Sequence, residues 1–390
     1  MQLNSALACV KIPTGLNFGP VALERLETWI TAPEMGGDEW KHVKSCLFVR
    51  LTTKDGIYGW GEAFVLLYRE KVDAEIIHAL GRSASKLKSI SPWAFLDLAK
   101  QAAACHQSLE FSAASSALEM TLWDILGKLL NAPLCDLLGG DHNRAIPIHG
   151  NIRSATQWDV ASLETRATDL VAQGYRAIRI HPMLNHAAQD AVIGDDIALL
   201  VDLDAQGNAD AAILIAKAIK PAHAYWFEEP IDGNDIQALA QIHKDTRLRG
   251  VTGEKHCGLA HFRAVLAAGA ADILNPDIAA VGGILDLLEL AELAEQQGVQ
   301  ISPHCWNSMT AAAAAMLHVC ASIPNAELAE IYPEYIQHGE KFALKAFHLE
   351  GKYAHLSYKP GIGVDLNLSA LHTLCEFHQS TCLSLAEATC

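Results

Sequence analysis

Asp202, Glu228 and Glu254 stand 26 residues apart in turn, and each closes a short apolar run: LLVD, YWFE and VTGE. Runs of that length and composition predict buried strands. One strand, one helix and two loops fill a repeat of about this size in a (β/α)8 barrel, so three successive units put three carboxylates side by side at the C-terminal rim, where barrel enzymes keep their chemistry. Three oxygen donors with positions left open for water and substrate suit a hard cation such as Mg2+. A single acid carries no such inference; the equal spacing does.

The repeat continues on both sides of the acids. Strand one is expected at Ile146 to Gly150, followed by a helix capped by Ser154 and closed by Gly174, and strand two at Ala177 to His181. Strand six, ADILNPD, is expected to end at Asp277, strand seven, VQISPH, at His304, and strand eight to span Ala326 to Glu330. The stretch between His181 and Asp202 is short for a full helix and its loops, which predicts a truncated unit. Before the barrel, the runs Ser45 to Leu51 and Ile57 to Gly59 flank Thr53-Lys54-Asp55-Gly56, a hairpin signal. Lys11 to Pro20 reads as a loop, Gly61-Glu62-Ala63 as the start of a second irregular stretch, and Ser112 to Leu130 as a helix broken at Leu137-Leu138-Gly139-Gly140. The expected class is therefore α/β: an N-terminal α+β capping domain over residues 1–140, a modified (β/α)8 barrel over 141–362, and a C-terminal segment, 363–390, that returns to the capping domain.

A net charge of −16 argues against nucleic acid and anionic membranes as partners. The N-terminal stretch MQLNSALACVKIP reads as neither a signal peptide nor a span. The ten cysteines include no CxxC pair, as expected of buried thiols in a reducing cytoplasm.

His304 and Asp277 end adjacent strands, so an imidazole and a carboxylate are expected within hydrogen-bonding reach; such a pair fixes the tautomer, raises the basicity of the ring and makes His304 a candidate general base. A lone histidine is more often a satisfied core residue, and it is the place at a strand end beside three acids that favours chemistry. Arg179 and His181 alternate on strand two and share a face, across the mouth from His304. Arg179 reads either as a substrate-binding or catalytic cation or as a structural partner for a barrel acid. Glu229 is expected to turn away from the metal, Asp204 to share the face of Asp202, and Lys255 to form a rim salt bridge.

The segments GWGEA, ALEMTLWDILGKLLNAPLCDLLGG, VDLDAQ, WFEEP, GE, DILNPDIAAVGG and SPH, taken in order and spacing, resemble the enolase superfamily and, within it, the mandelate racemase subgroup. The resemblance implies that Asp202, Glu228 and Glu254 bind Mg2+, that His304 with Asp277 is the catalytic dyad, and that Glu330 on strand eight lies against the carboxylate or enolate of a substrate. It also implies loops that close over the barrel and choose the substrate, and a homo-oligomer as in many relatives. The usual Lys-x-Lys of strand two reads Arg179-Ile180-His181 here, and no lysine follows Asp277 in IAAVGG. The first departure weighs against a simple racemase, the second against the muconate-lactonizing and epimerase branches. The activity expected first is dehydration of a sugar acid to a 2-keto-3-deoxy acid. Epimerisation or cycloisomerisation of a lactone is the alternative, and a catalytically silent sugar-acid sensor is a third reading.

Overall fold

The computed structural model describes residues 21–31, 45–66, 68–86, 91–152, 160–181, 196–220, 224–306 and 310–383. Lys11 to Pro20, Ser154 and most of the stretch between His181 and Asp202 lie outside them. The N-terminal sheet begins with β1 (Leu23–Thr31), β2 (Leu47–Thr53) and β3 (Tyr58–Ala63), three antiparallel neighbours. The hairpin forms where Asp-Gly predicts it, with Gly56 at φ +80° in the turn.

Gly61-Glu62-Ala63 is strand rather than irregular chain. The two glycines of GWGEA, spaced by two, share one face of β3 and let the long helix Leu109–Leu130 lie directly on it. A Cβ at Gly59 would stand 2.0 Å from the Thr121 carbonyl oxygen, and one at Gly61 would stand 2.2 Å from that of Ala117. Glycine here marks close approach, not a break. Ser108 caps the helix, its hydroxyl accepting from the Phe111 N–H, and Asn131 ends it at φ +51°.

The barrel strands follow as β4 (Ile146–Ile152), β5 (Ala177–Ile180), β6 (Ala198–Asp202), β7 (Trp226–Glu228), β8 (Gly250–Thr252), β9 (Ile273–Leu274), β10 (Gln300–Ile301) and β11 (Ala329–Ile331). They run parallel in the order β10-β9-β8-β7-β6-β5-β4, with β11 paired to the other side of β4. A parallel bridge between Ile301 and Ala326 joins β10 to the approach of β11 and closes the ring. The last strands are shorter than expected: β9 stops at Leu274 and β10 at Ile301, and Asp277 and His304 meet beyond them as an isolated bridge. The eighth strand begins at Ala329, not Ala326. Pro276 and Pro303 each precede the bridging residue and lack the N–H a ladder needs.

After the barrel, β12 (Phe347–Glu350) and β13 (Tyr353–Leu356) form a hairpin, and β13 pairs antiparallel with the start of β4. The chain then returns as β14 (Cys375–Cys382), which pairs with β1 and completes the N-terminal sheet. His78, fully buried, ties this return in place: its Nε2 lies 2.9 Å from the Thr28 hydroxyl and its Nδ1 lies 2.7 Å from that of Thr381. Burial pushes this imidazole down to about 4. Between the ordinary histidine value of about 6.5 and that value, the unfolded chain binds a proton that the folded chain does not, so stability from this site falls as pH falls through that window. We expect the wild type to lose about 1–2 kcal/mol between pH 7 and pH 4 that His78→Gln does not lose, measured as the pH dependence of chemical denaturation.

Glu62 at the end of β3, fully buried, accepts from the N–H groups of Thr310 and Ala312 and so caps the barrel helix Ala311–Ser322. Asp124, on the long helix, accepts from the N–H groups of Trp60 and Ile362 and pairs with Lys128. Of the described cysteines, Cys46, Cys135, Cys305 and Cys320 are buried. None of the described helices is long and apolar enough to cross a membrane.

Candidate active site

Inside the barrel, Ala177, Leu200, Trp226, Val251 and Ile273 form an apolar layer, one residue from each of five neighbouring strands. Side chains on a strand return to the same face every second residue. Two positions further on, the same strands present Arg179, Asp202, Glu228 and Asn275, so a dry layer is roofed by a polar one. On β8 the step to Gly253, at φ +136°, turns the chain, and Glu254 supplies the carboxylate instead.

The ligand atoms of Asp202, Glu228 and Glu254 lie within 4.8 Å of one another, and all three side chains are buried. Asp202 and Glu228 are directly opposite in the β6–β7 register. Asp202 Oδ2 and Glu254 Oε2 are buried with no well-aligned hydrogen bond. Buried carboxylate oxygens in that condition, converging on one point, fit a divalent cation with oxygen preference, and Mg2+ suits the donor set.

Arg179, 2% exposed, reaches into the same cluster. Its Nη1 pairs with Glu228 Oε1 and lies 3.7 Å from both Asp202 Oδ2 and Glu254 Oε2; its Nη2 is 2.6 Å from Glu330 Oε1 and donates to the Tyr332 hydroxyl at 3.1 Å. Of the two readings of Arg179, this geometry is that of a partner to the barrel acids. His181 follows on the same face, with Nδ1 at 3.0 Å from Asp202 Oδ2.

Opposite them, His304 Nδ1 is 2.8 Å from Asp277 Oδ2. Asp277, fully buried, also accepts from the N–H groups of Ala279 and Trp306. His304 Nε2 faces inward, 3.4 Å from Glu254 Oε2 and 3.7 Å from Glu330 Oε2. Glu330 is in turn held by the Cys305 N–H at 2.7 Å.

Electrostatics separate these groups. Burial raises Glu228 and Glu254, and their acidic neighbours add to it despite Arg179 and His304. Burial acts the same way on Asp202 and Glu330, but the positive groups outweigh it: His181 and Arg179 hold Asp202 below the usual carboxylate range, and Arg179 with His304 brings Glu330 to about 2. Burial works against a charged His304, yet Glu330, Glu254 and Asp277 together lift it to about 9.

Glu229 turns away from the cluster at φ +39°, as alternation predicts, and accepts from the Thr252 hydroxyl and the Gly253 N–H. Asp204 pairs with Lys255 at 2.8 Å on the rim. Three groups were not singled out in the sequence. Asn275 donates to Glu228 Oε1 at 2.8 Å; it sits two residues before Asp277 in DILNPD, and that spacing is the signal that could have found it. His149, 2% exposed, lies beside Glu330 in the β4–β11 register, and burial pushes it down to about 3. Trp306 stacks near the His304 ring, with centroids 6.2 Å apart.

A parallel barrel with acids ending its third, fourth and fifth strands and a His–Asp pair facing them defines an enolase-superfamily protein. Residues 162–370 match the family description "Enolase C-terminal domain-like", and residues 31–139 match "Mandelate racemase / muconate lactonizing enzyme, N-terminal domain". The chain belongs to the mandelate racemase/muconate lactonizing enzyme family. It is 30% identical to a D-galactonate dehydratase of Klebsiella pneumoniae (strain 342), over 84% of this chain and 90% of that one. It is 28% identical to a D-galactarolactone cycloisomerase of Agrobacterium fabrum, over 77% and 80% of the two chains. The crystal structure of an enolase from the environmental genome shotgun sequencing of the Sargasso Sea superposes with a TM-score of 0.88 at 38% identity, covering 93% of this chain and 98% of that one.

Proposed function

We propose that the protein is a Mg2+-dependent sugar-acid dehydratase in which His304 is the proton-transferring residue. The observation that carries this reading is the His304–Asp277 pair: Nδ1 is anchored from behind, and Nε2 is aimed at the space beside the three acids. The proton next to a carboxylate is far too weakly acidic for an unaided imidazole, and Mg2+ held by Asp202, Glu228 and Glu254 would supply the positive charge that stabilises an enediolate. A divalent cation at the acids would offset the charge of Glu254 that raises His304, and the neutral ring is the form that acts: its Nε2 takes the α-proton, and the electron pair left on the α-carbon forms the double bond as the β-carbon–oxygen bond breaks. The leaving hydroxyl takes a proton, from His304 on the same face or from His181 on the other, and departs as water. The enol then tautomerises to a 2-keto-3-deoxy acid. Asp277 keeps the ring oriented throughout. Arg179 acts here by fixing Glu228 and Glu330, and Glu330 stands between Arg179 and His304, against the substrate's carboxylate or enolate.

The cycloisomerase reading is favoured by two relatives named as cycloisomerases and by His181 beside Asp202, which gives a second imidazole on the opposite strand. Proton NMR in D2O with Mg2+ and a panel of sugar mono-acids, diacids and their lactones separates the two. A dehydratase gives new deoxy-carbon signals with loss of the acid. A cycloisomerase gives a ring-opened product from a lactone alone, and that result would displace dehydration. Exchange of the α-proton with neither product would favour epimerisation.

A further inference from the structure

The hairpin β12–β13 carries a second cluster of metal-binding groups, remote from the acids of the barrel rim. His348 and His355 are directly opposite in its register, and Glu350 lies two residues beyond His348 on the same strand. Alternation puts all three side chains on one face. The imidazoles are stacked, centroids 5.0 Å apart and planes 16° apart, and Glu350 Oε2 is 3.7 Å from His355 Nε2. One ligand atom from each residue lies within 4.8 Å of the other two. His348 and Glu350 are exposed and His355 is half-buried, so side-chain rotation brings the atoms to bonding distance without moving the backbone.

The scaffold beneath is fixed. Gly351 turns the hairpin at φ +57°, and its backbone packs so closely on Gly174 that a Cβ there would lie 2.7 Å from the Gly351 Cα. Tyr353 and Ala354 stand opposite Pro147 and Ile146 in antiparallel register at the N-terminal end of β4, where the Ile148 N–H donates to the Lys352 carbonyl, at the opposite end of the barrel from His304. Two imidazoles and one carboxylate select a borderline transition ion, not Mg2+, and leave a position open for water. A net charge of −16 raises the local concentration of any cation.

We propose that His348, Glu350 and His355 form a second metal site, for Zn2+ or an ion of similar preference. The test is calorimetric titration of Zn2+ into the protein held in saturating Mg2+, repeated on His348→Ala/His355→Ala, Glu350→Gln and Glu254→Gln. The expected result is one Zn2+ per chain in the wild type and in Glu254→Gln, no such uptake in the double histidine variant, and affinity more than about tenfold weaker in Glu350→Gln. The double variant should stay folded without Zn2+, melting within a few degrees of the wild type, since His348 is exposed and His355 only half-buried. Uptake unchanged in the double variant, or lost in Glu254→Gln instead, would overturn the proposal.

Discussion

Replacing His304 with Asn is expected to lower kcat at least about a thousandfold, with the melting temperature and the response to Mg2+ kept close to wild type. A positioned general acid–base contributes about 10²–10⁴ in rate, and on this reading no other group removes the α-proton, so the loss of His304 falls at the upper end. Asparagine is smaller than histidine but keeps a donor toward Asp277, and it has no group that titrates. Asp277→Asn separates orientation from basicity: the carboxamide can still meet Nδ1, yet the negative charge that favours the imidazolium is gone. Its kcat should fall less than that of His304→Asn, and the acidic limb of its pH profile should move to lower pH, because a ring without that partner loses its proton more readily. A graded loss of turnover, larger in His304→Asn than in Asp277→Asn, with substrate still bound in both, seen by ligand-dependent melting, fits the proposal. Wild-type turnover in His304→Asn would end it and assign the proton transfer to another group.

Much of this site was legible because its parts recur at the barrel period. The acids at 202, 228 and 254 and the pair at 277 and 304 each follow a strand by the same logic, and a spacing survives even where a strand shrinks to two residues, as at Ile273–Leu274 and Gln300–Ile301. Features that rest on one residue in an apolar run were not legible. His149 in IPIHGNI looks like any polar residue in a strand; only closure of β11 onto β4 puts it beside Glu330. The glycines of GWGEA read as a break because their partner, the backbone of Thr121 and Ala117, lies some 60 residues away in sequence. Return of the chain end to β1 was visible only as loss of the barrel pattern; the pairing itself depends on a register that the alternation of CEFHQSTC does not specify.

Arg179 had two readings in the sequence, and the second large effect follows from the one the geometry supports. Four buried acids surround it: Asp202, Glu228, Glu254 and Glu330. Without a metal, Arg179 is the buried cation that reaches all four of them. Arg179→Met keeps the stem and removes the charge, leaving carboxylates that burial already disfavours. Breaking a buried pair in this way costs about 3–5 kcal/mol, or a fall in melting temperature of roughly 4–6 °C in EDTA for a protein of this size. Mg2+ bound by the same acids restores positive charge, so it should raise the melting temperature of the variant by more than that of the wild type. Arg179→Lys should fall between the two, since one ammonium cannot reach Glu228 and Glu330 together as the guanidinium fork does. The melting temperatures of the three proteins, each with EDTA and with Mg2+, form the test. An equal Mg2+ response in wild type and Arg179→Met would mean that Arg179 does not share the charge of the metal cluster, and the cation would then return to its other reading, as a group reserved for substrate.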